Sequence, residues 1–141
     1  MGFREIASIA GSAMTAQTTR LNTVASNLAN ANTAASTADT AYKARKPVFA
    51  TVYGPGESMG GTPVGARVQV LDVVEASEPA RKVHEPDNPL ADDKGDVYYS
   101  NVNSVAEMTD MMAASRAFET NVDVLGRVRS MQQALLRLGD N

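Results

Sequence analysis

Cysteine is absent from this 141-residue sequence, which excludes disulfides, thiolate metal sites and a cysteine nucleophile while leaving the compartment open. Histidine occurs once, at His84 in a proline-flanked stretch, and a lone histidine is ordinarily structural or exposed. Aromatic side chains make up 5% and apolar residues 43%, much of it alanine, so any core is thin and built from Ala and Met. No stretch reaches the roughly 18 consecutive apolar residues of a membrane span. The 13 basic residues form no run and are outnumbered by 16 acidic ones, which argues against a nucleic-acid partner. The first residues do not read as a secretory signal, because Gly11, Ser12, Thr15, Gln17, Thr18 and Thr19 interrupt any apolar core and no cleavage site follows. Ile6 stands where a myristoylated start needs Ser or Thr.

What is present is a long amphipathic pattern at each end. Phe3, Ala7, Ala10, Met14, Gln17, Leu21, Val24, Leu28 and Ala31 recur at alternating steps of four and three. Met108, Met111, Ser115, Phe118, Val122 and Leu125 do the same, and after a three-residue slip the stripe continues at Val128, Met131, Leu135 and Leu138. A spacing averaging about 3.5 residues keeps one stripe facing a partner helix. The first helix is expected over residues 3 to about 31, with Asn30 and Asn32 as left-handed C-terminal caps. Gly11 and four threonines lower its propensity, so packing must supply its stability. The second is expected from Ser104 as N-cap, with Glu107 reaching back in a capping box, to Leu138, and Gly139 as the stop.

Between them, residues 33–41 read as a flexible connector. Residues 47–53 and 64–76 have strand character, and the Gly- and Pro-rich 54–63 between them reads as a turn, making a β-hairpin from about 47 to 76. Pro79, Pro86 and Pro89 forbid a helix interior or central strand in 77–95, although 81–85 can form an edge strand paired with 96–99. The expected fold is mainly α with a small β region. Its N- and C-terminal helices pack as an antiparallel coiled-coil hairpin, with the β-hairpin and an irregular segment between them. The expected domains are 1–32, an N-terminal axial helix; 33–103, a middle segment; and 104–141, a C-terminal axial helix, with 1–32 and 104–141 forming one helical domain.

Catalytic patterns are missing. Asp87, Asp92, Asp93 and Asp96 lack the closing Glu and entering helix of a calcium loop. No Ser lies in a nucleophile elbow and no glycine pattern cradles phosphate. The sequence is therefore read as non-enzymatic, with no cofactor and no metal.

Two motifs carry a family resemblance. Ala10-Gly11-Ser12-Ala13-Met14-Thr15-Ala16-Gln17, Arg20-Leu21-Asn22 and the run from Ala25 to Thr33 (ASNLANANT) resemble the flagellar axial proteins. Glu85-Pro86-Asp87-Asn88-Pro89-Leu90-Ala91-Asp92, Asn101-Val102-Asn103, Glu107-Met108, Ala114 to Phe118 and Asn121-Val122 resemble the proximal-rod branch, the FlgC family. Ser100 departs from it where a proline would be usual, which implies a less rigid entry to the second helix.

The resemblance implies a structural subunit of the bacterial flagellar basal-body rod, periplasmic and exported without a cleaved signal by the flagellar type III export apparatus. It implies helical assembly by terminal-helix packing, transmitting torque and lining the export channel. The implied partners are other copies of the chain and the neighbouring rod proteins FlgB, FlgF, FlgG and FliE, with no direct membrane insertion. The expected assembly interface is the two stripes: Phe3, Ala7, Ala10, Met14, Gln17, Leu21, Val24, Leu28, Met108, Met111, Ser115, Phe118, Val122, Leu125, Val128, Met131 and Leu135. To these are added Asn27, Asn30 and Asn121, with Gln17, Asn27 and Asn121 as candidate register-setting polar groups. The alternative is a soluble or secreted coiled-coil binding or adaptor module, which would form a discrete oligomer by itself.

Overall fold

The computed structural model describes residues 2–53 and 65–139; the 54–63 turn lies outside the described residues. Helix α1 runs Phe3–Asn30, and α2 runs Ser104–Gly139. Five strands lie between them: β1 Ala34–Ala35, β2 Arg45–Tyr53, β3 Ala66–Glu75, β4 Arg81–His84 and β5 Asp96–Tyr99. The fold is two long packed helices with a minor antiparallel β region between them, as expected. Two compact units divide it. Unit 1 collects Met1–Thr19, Val48–Asp72 and Ala113–Asn141, and unit 2 collects Arg20–Pro47 and Val73–Met112.

In unit 1, the start of α1 is held by Glu5, whose carboxylate accepts the Gly2 N–H at 2.7 Å, the returning half of a capping box at a helix end that favours negative charge, with glycine offering no side chain for the other half. The helix then satisfies its own hydroxyls. Ser12 Oγ donates to the Ile9 carbonyl at 2.8 Å, and Thr15 and Thr18 donate one turn back, at 3.1 and 3.0 Å. Ser12 Oγ also accepts the Val68 N–H of β3 at 3.1 Å, tying the strand to the helix. β2 and β3 form a two-stranded sheet. The thin core expected from the composition is present: Ala10, Ala16, Ala114 and Val128 are buried.

In unit 2, α1 ends without a left-handed residue. No non-glycine residue among those described has positive φ, so Asn30 and Asn32 do not cap the helix as expected. Instead the last turn tightens, with Ala31 N–H on the Leu28 carbonyl at 3.3 Å, while Asn30 Nδ2 donates to the Ser26 carbonyl at 2.8 Å. The 33–41 stretch is not merely a connector. β1 within it pairs with β5 (Ala34↔Tyr99, Ala35↔Tyr98), and Ala41 is buried. β5 is thus the centre of a β1-β5-β4 sheet, with Arg81↔Tyr99 through His84↔Asp96 on its other side, the pairing expected from the sequence.

The entry to α2 also differs from expectation. Asn103, not Ser104, is the N-cap: its Oδ1 accepts the Val105 and Ala106 N–H groups at 3.1 and 3.2 Å. Its carbonyl accepts the Glu107 N–H at 3.0 Å. Glu107 does not reach back, because its carboxylate is drawn into the core by Asn27. Ser100 is buried, and its Oγ accepts the Val102 N–H at 3.1 Å. The serine found in place of proline therefore contributes a turn-forming hydrogen bond to this entry.

Candidate assembly interface

The Asn of the ASNLANANT run at position 27 is 1% exposed and uses its whole hydrogen-bonding capacity. Its Nδ2 donates to the Arg45 carbonyl at 2.8 Å and to Glu107 Oε2 at 3.0 Å. Its Oδ1 accepts the Arg45 N–H at 2.9 Å and the Tyr42 hydroxyl at 3.0 Å. One amide thus clasps the end of α1, the start of β2 and the first turn of α2. Around it, the Arg45 guanidinium lies 5.7 Å from the Tyr42 ring centre, and Ala44 N–H is bound by Asn101 Oδ1 at 2.7 Å. Asn101 Nδ2 returns to the Glu78 carbonyl at 2.7 Å. Sequence reasoning placed Asn27 on the stripe but missed Tyr42, Arg45 and Asn101, which carry no periodic signal.

The Glu85–Asp96 motif builds a second knot. Glu85 accepts from Asn88 Nδ2 at 2.8 Å and from the Tyr99 hydroxyl at 2.9 Å, and these bonds hold its pKa below the ordinary value. The same bond to Glu85 raises that of Tyr99. Asp92 Oδ1 accepts the Lys94 and Asp96 N–H groups at 2.8 and 2.9 Å; the Asp96 N–H is the larger of the causes that lower the Asp92 pKa. Asp96 is itself lowered, first by the hydrogen bond from Lys82 and then by that from His84, and Lys82 is raised in return. The loop closes at Gly95, whose φ of 78° and close neighbours, His84 and Pro86, suit glycine. Asp92 and Asp96 are therefore occupied by backbone and side-chain partners, and no three-residue metal-binding group occurs among the described residues.

The interface residues expected from the sequence fall into three sets. Ala10, Val24, Asn27 and Val128 are buried within the chain. Phe3, Ala7, Met14, Gln17, Leu21, Leu28, Asn30, Met111, Ser115, Phe118, Asn121 and Leu125 are half-buried. Met108, Val122, Met131 and Leu135 are exposed, at 55, 44, 49 and 55%. The covered side of α2 is offset by one residue from the expected stripe at several steps. It runs through Glu107 and Met111 in unit 2, and through Ala114, Phe118, Asn121, Leu125 and Val128 in unit 1. The offset was hidden because a carboxylate and an alanine occupy it where Met108 and Ser115 stand beside them. The Gln17 amide oxygen is buried without a hydrogen-bond partner among the described residues. On the open side of α2 in unit 1, Val122, Gly126, Ser130 and Met131 line a shallow groove with Asp123 and Arg127.

Two family models match the ends that make these contacts: "Flagella basal body rod protein" over residues 8–34 and "Flagellar basal body rod FlgEFG protein C-terminal" over residues 94–138. Whole-chain similarity decides the branch. The chain is 46% identical over 139 residues to the flagellar basal-body rod protein FlgC of Escherichia coli O6:H1, covering 99% of each. The chain belongs to the FlgC family. FlgC of Salmonella typhimurium is 43% identical over 139 residues, and that of Borreliella burgdorferi 30% over 149, each matched along 98% or more of both chains. FlgC membership makes this a non-catalytic structural subunit of the periplasmic flagellar rod. It also sets aside the soluble adaptor alternative.

Proposed function

We propose that the chain builds the rod helically by packing its terminal helices against those of neighbouring subunits, transmitting torque and lining the export channel. The partners on this reading are further copies of the chain, the rod proteins FlgB, FlgF, FlgG and FliE, and the type III export apparatus. One observation carries it: the last turns of α2 have no cover among the described residues. Every residue from Arg129 to Leu138 is exposed, with Leu135, Leu136 and Leu138 at 55, 72 and 74%. A run of leucines left in water is unfavourable, at about 25 cal/mol per Å² of apolar surface, and marks a surface that another molecule covers. The half-buried stripe residues, Phe3, Ala7, Met14, Leu21, Met111, Phe118 and Leu125, belong to the same interface on this reading. Gln17 and Asn121 set its register on this reading, whereas Asn27, engaged on all sides within the chain, holds α1 to β2 and to the first turn of α2 instead.

The experiment is complementation of a motile bacterium lacking its own copy. Chains lacking residues 1–20, or carrying Leu135→Asp and Leu138→Asp, should be exported yet fail to enter basal bodies, read by density maps of purified basal bodies. Normal rods built from either variant would refute the reading.

A further inference from the structure

Side-chain sulfur in this chain is confined to methionine, since cysteine is absent. Three of the seven methionines, Met108, Met111 and Met112, fall in the first turns of α2, all within unit 2. Helix geometry separates them. Met108 and Met112 lie roughly 40° apart around the axis, whereas Met111 is roughly 60° from the first and 100° from the second. Met111 lies instead about 40° from Glu107, on the covered side of the helix. Exposure follows that division. Met108 and Met112 are 55 and 58% exposed and share their side with the exposed Val105. Met111 is half-buried, one turn on from the buried Glu107, whose carboxylate accepts the Asn27 amide at 3.0 Å.

We propose that Met108 and Met112 are the sites at which a two-electron oxidant of the peroxide class modifies the free chain, and that by reacting first they spare Met111 and the covered side of α2. The thioether sulfur attacks one oxygen of hydrogen peroxide with its lone pair. The S–O bond forms as the O–O bond breaks, and the departing hydroxide takes the proton left on the transferred oxygen. The products are the sulfoxide and water, with sulfur oxidised by two electrons and the peroxide reduced by two. A peroxide must reach the sulfur to react, and the outward pair is open to it on both sides of Met111 in sequence. The new S=O group is polar. At positions 108 and 112 it stays in water, so the fold loses nothing there. At position 111 the same oxygen would enter the side of the helix that buries the Glu107 carboxylate, and packing there would suffer.

The test treats the purified full chain with hydrogen peroxide and reads sulfoxide at each methionine by peptide mass spectrometry. Met108 and Met112 should gain oxygen about tenfold faster than Met111. Chain oxidised at both should keep its thermal midpoint, and the midpoint should fall only when oxidation reaches Met111. Met108→Leu with Met112→Leu removes both outward sulfurs at nearly constant volume, so the fold should be kept, as circular dichroism would show. At limiting peroxide, sulfoxide at Met111 should then rise about twofold, because two competing thioethers are gone. Met111→Leu should leave the reaction at 108 and 112 unchanged and abolish the late fall in midpoint. Equal rates at the three positions, a midpoint that falls with the first two oxygens, or no rise at Met111 in the double variant would each overturn the proposal. The ordering is read on the wild-type chain, so it stands or falls even if the double variant misfolds.

Discussion

Asn27 and Glu107, 80 positions apart in the sequence, are joined by a 3.0 Å hydrogen bond in the interior of unit 2. The bond brings the last turns of α1 and the first turn of α2 together, and it leaves a 7%-exposed carboxylate with an amide donor. Removing the amide strands that carboxylate and the Arg45 backbone together. Asn27→Ala should therefore destabilise the isolated chain by about 3 kcal/mol, at the upper end for a buried polar deletion. Glu107→Gln keeps an acceptor and should cost about 1 kcal/mol or less. Urea denaturation of the two variants measures the contrast, and equal losses would refute the clasp.

The N-cap of α2 separates two neighbouring residues. Asn103→Ala should destabilise by about 1 kcal/mol, because two helix N–H groups lose their acceptor. Ser104→Ala, one position inside the helix, should stay within about 0.5 kcal/mol. A larger loss at Ser104 would return the cap to that residue.

Gly95 closes the loop before β5 in a left-handed conformation. An added Cβ would stand 3.0 Å from His84 Cε1 and 3.1 Å from Pro86 Cβ. Gly95→Ala should cost about 2 kcal/mol from conformation and crowding together. The loss should appear as a lower thermal midpoint and as faster amide exchange over β4 and β5 than elsewhere.

Acid should loosen the same region. Asp96 titrates below its ordinary 3.8 and Glu85 below its ordinary 4.5 in the folded chain. The stabilisation linked to each is complete above those values and is lost as pH falls through the lower folded pKa. Lys82 and Tyr99 are raised above 10.5 and 10.0, so their contribution is present below those values and lost as pH rises through the higher folded pKa. The thermal midpoint should fall below about pH 4 and again above about pH 10. Combining Asp96→Asn with Glu85→Gln should flatten the acid limb.

Gln17 supplies the converse case. Its amide oxygen is buried without a partner among the described residues, and replacing it with an apolar side chain removes that penalty. Gln17→Leu should stabilise the isolated chain by about 1 kcal/mol. If Gln17 sets register between subunits, the same variant should build rods less faithfully, read by basal-body density.

Much of this protein was legible in order of residues alone. The two helices, the strand pair 81–84 with 96–99, the absence of catalytic groupings and the axial-protein motifs all rest on local periodicity or on short runs, which a linear reading can register. The helices were legible because a turn of about 3.6 residues is set by backbone geometry whatever the partner, even though the covered face of α2 then fell one residue away from the expected stripe at several steps. Tertiary structure decided the rest. It chose Asn103 over Ser104 as cap because Asn27 needed the Glu107 carboxylate elsewhere. It drew Ala34 and Ala35 into a sheet because β5 had an open edge, and it put Ala114 rather than Ser115 on the covered side of α2 because an alanine permits close approach there. Each of those choices turns on a partner distant in sequence, and no residue carries in its own identity the address of the group it will meet.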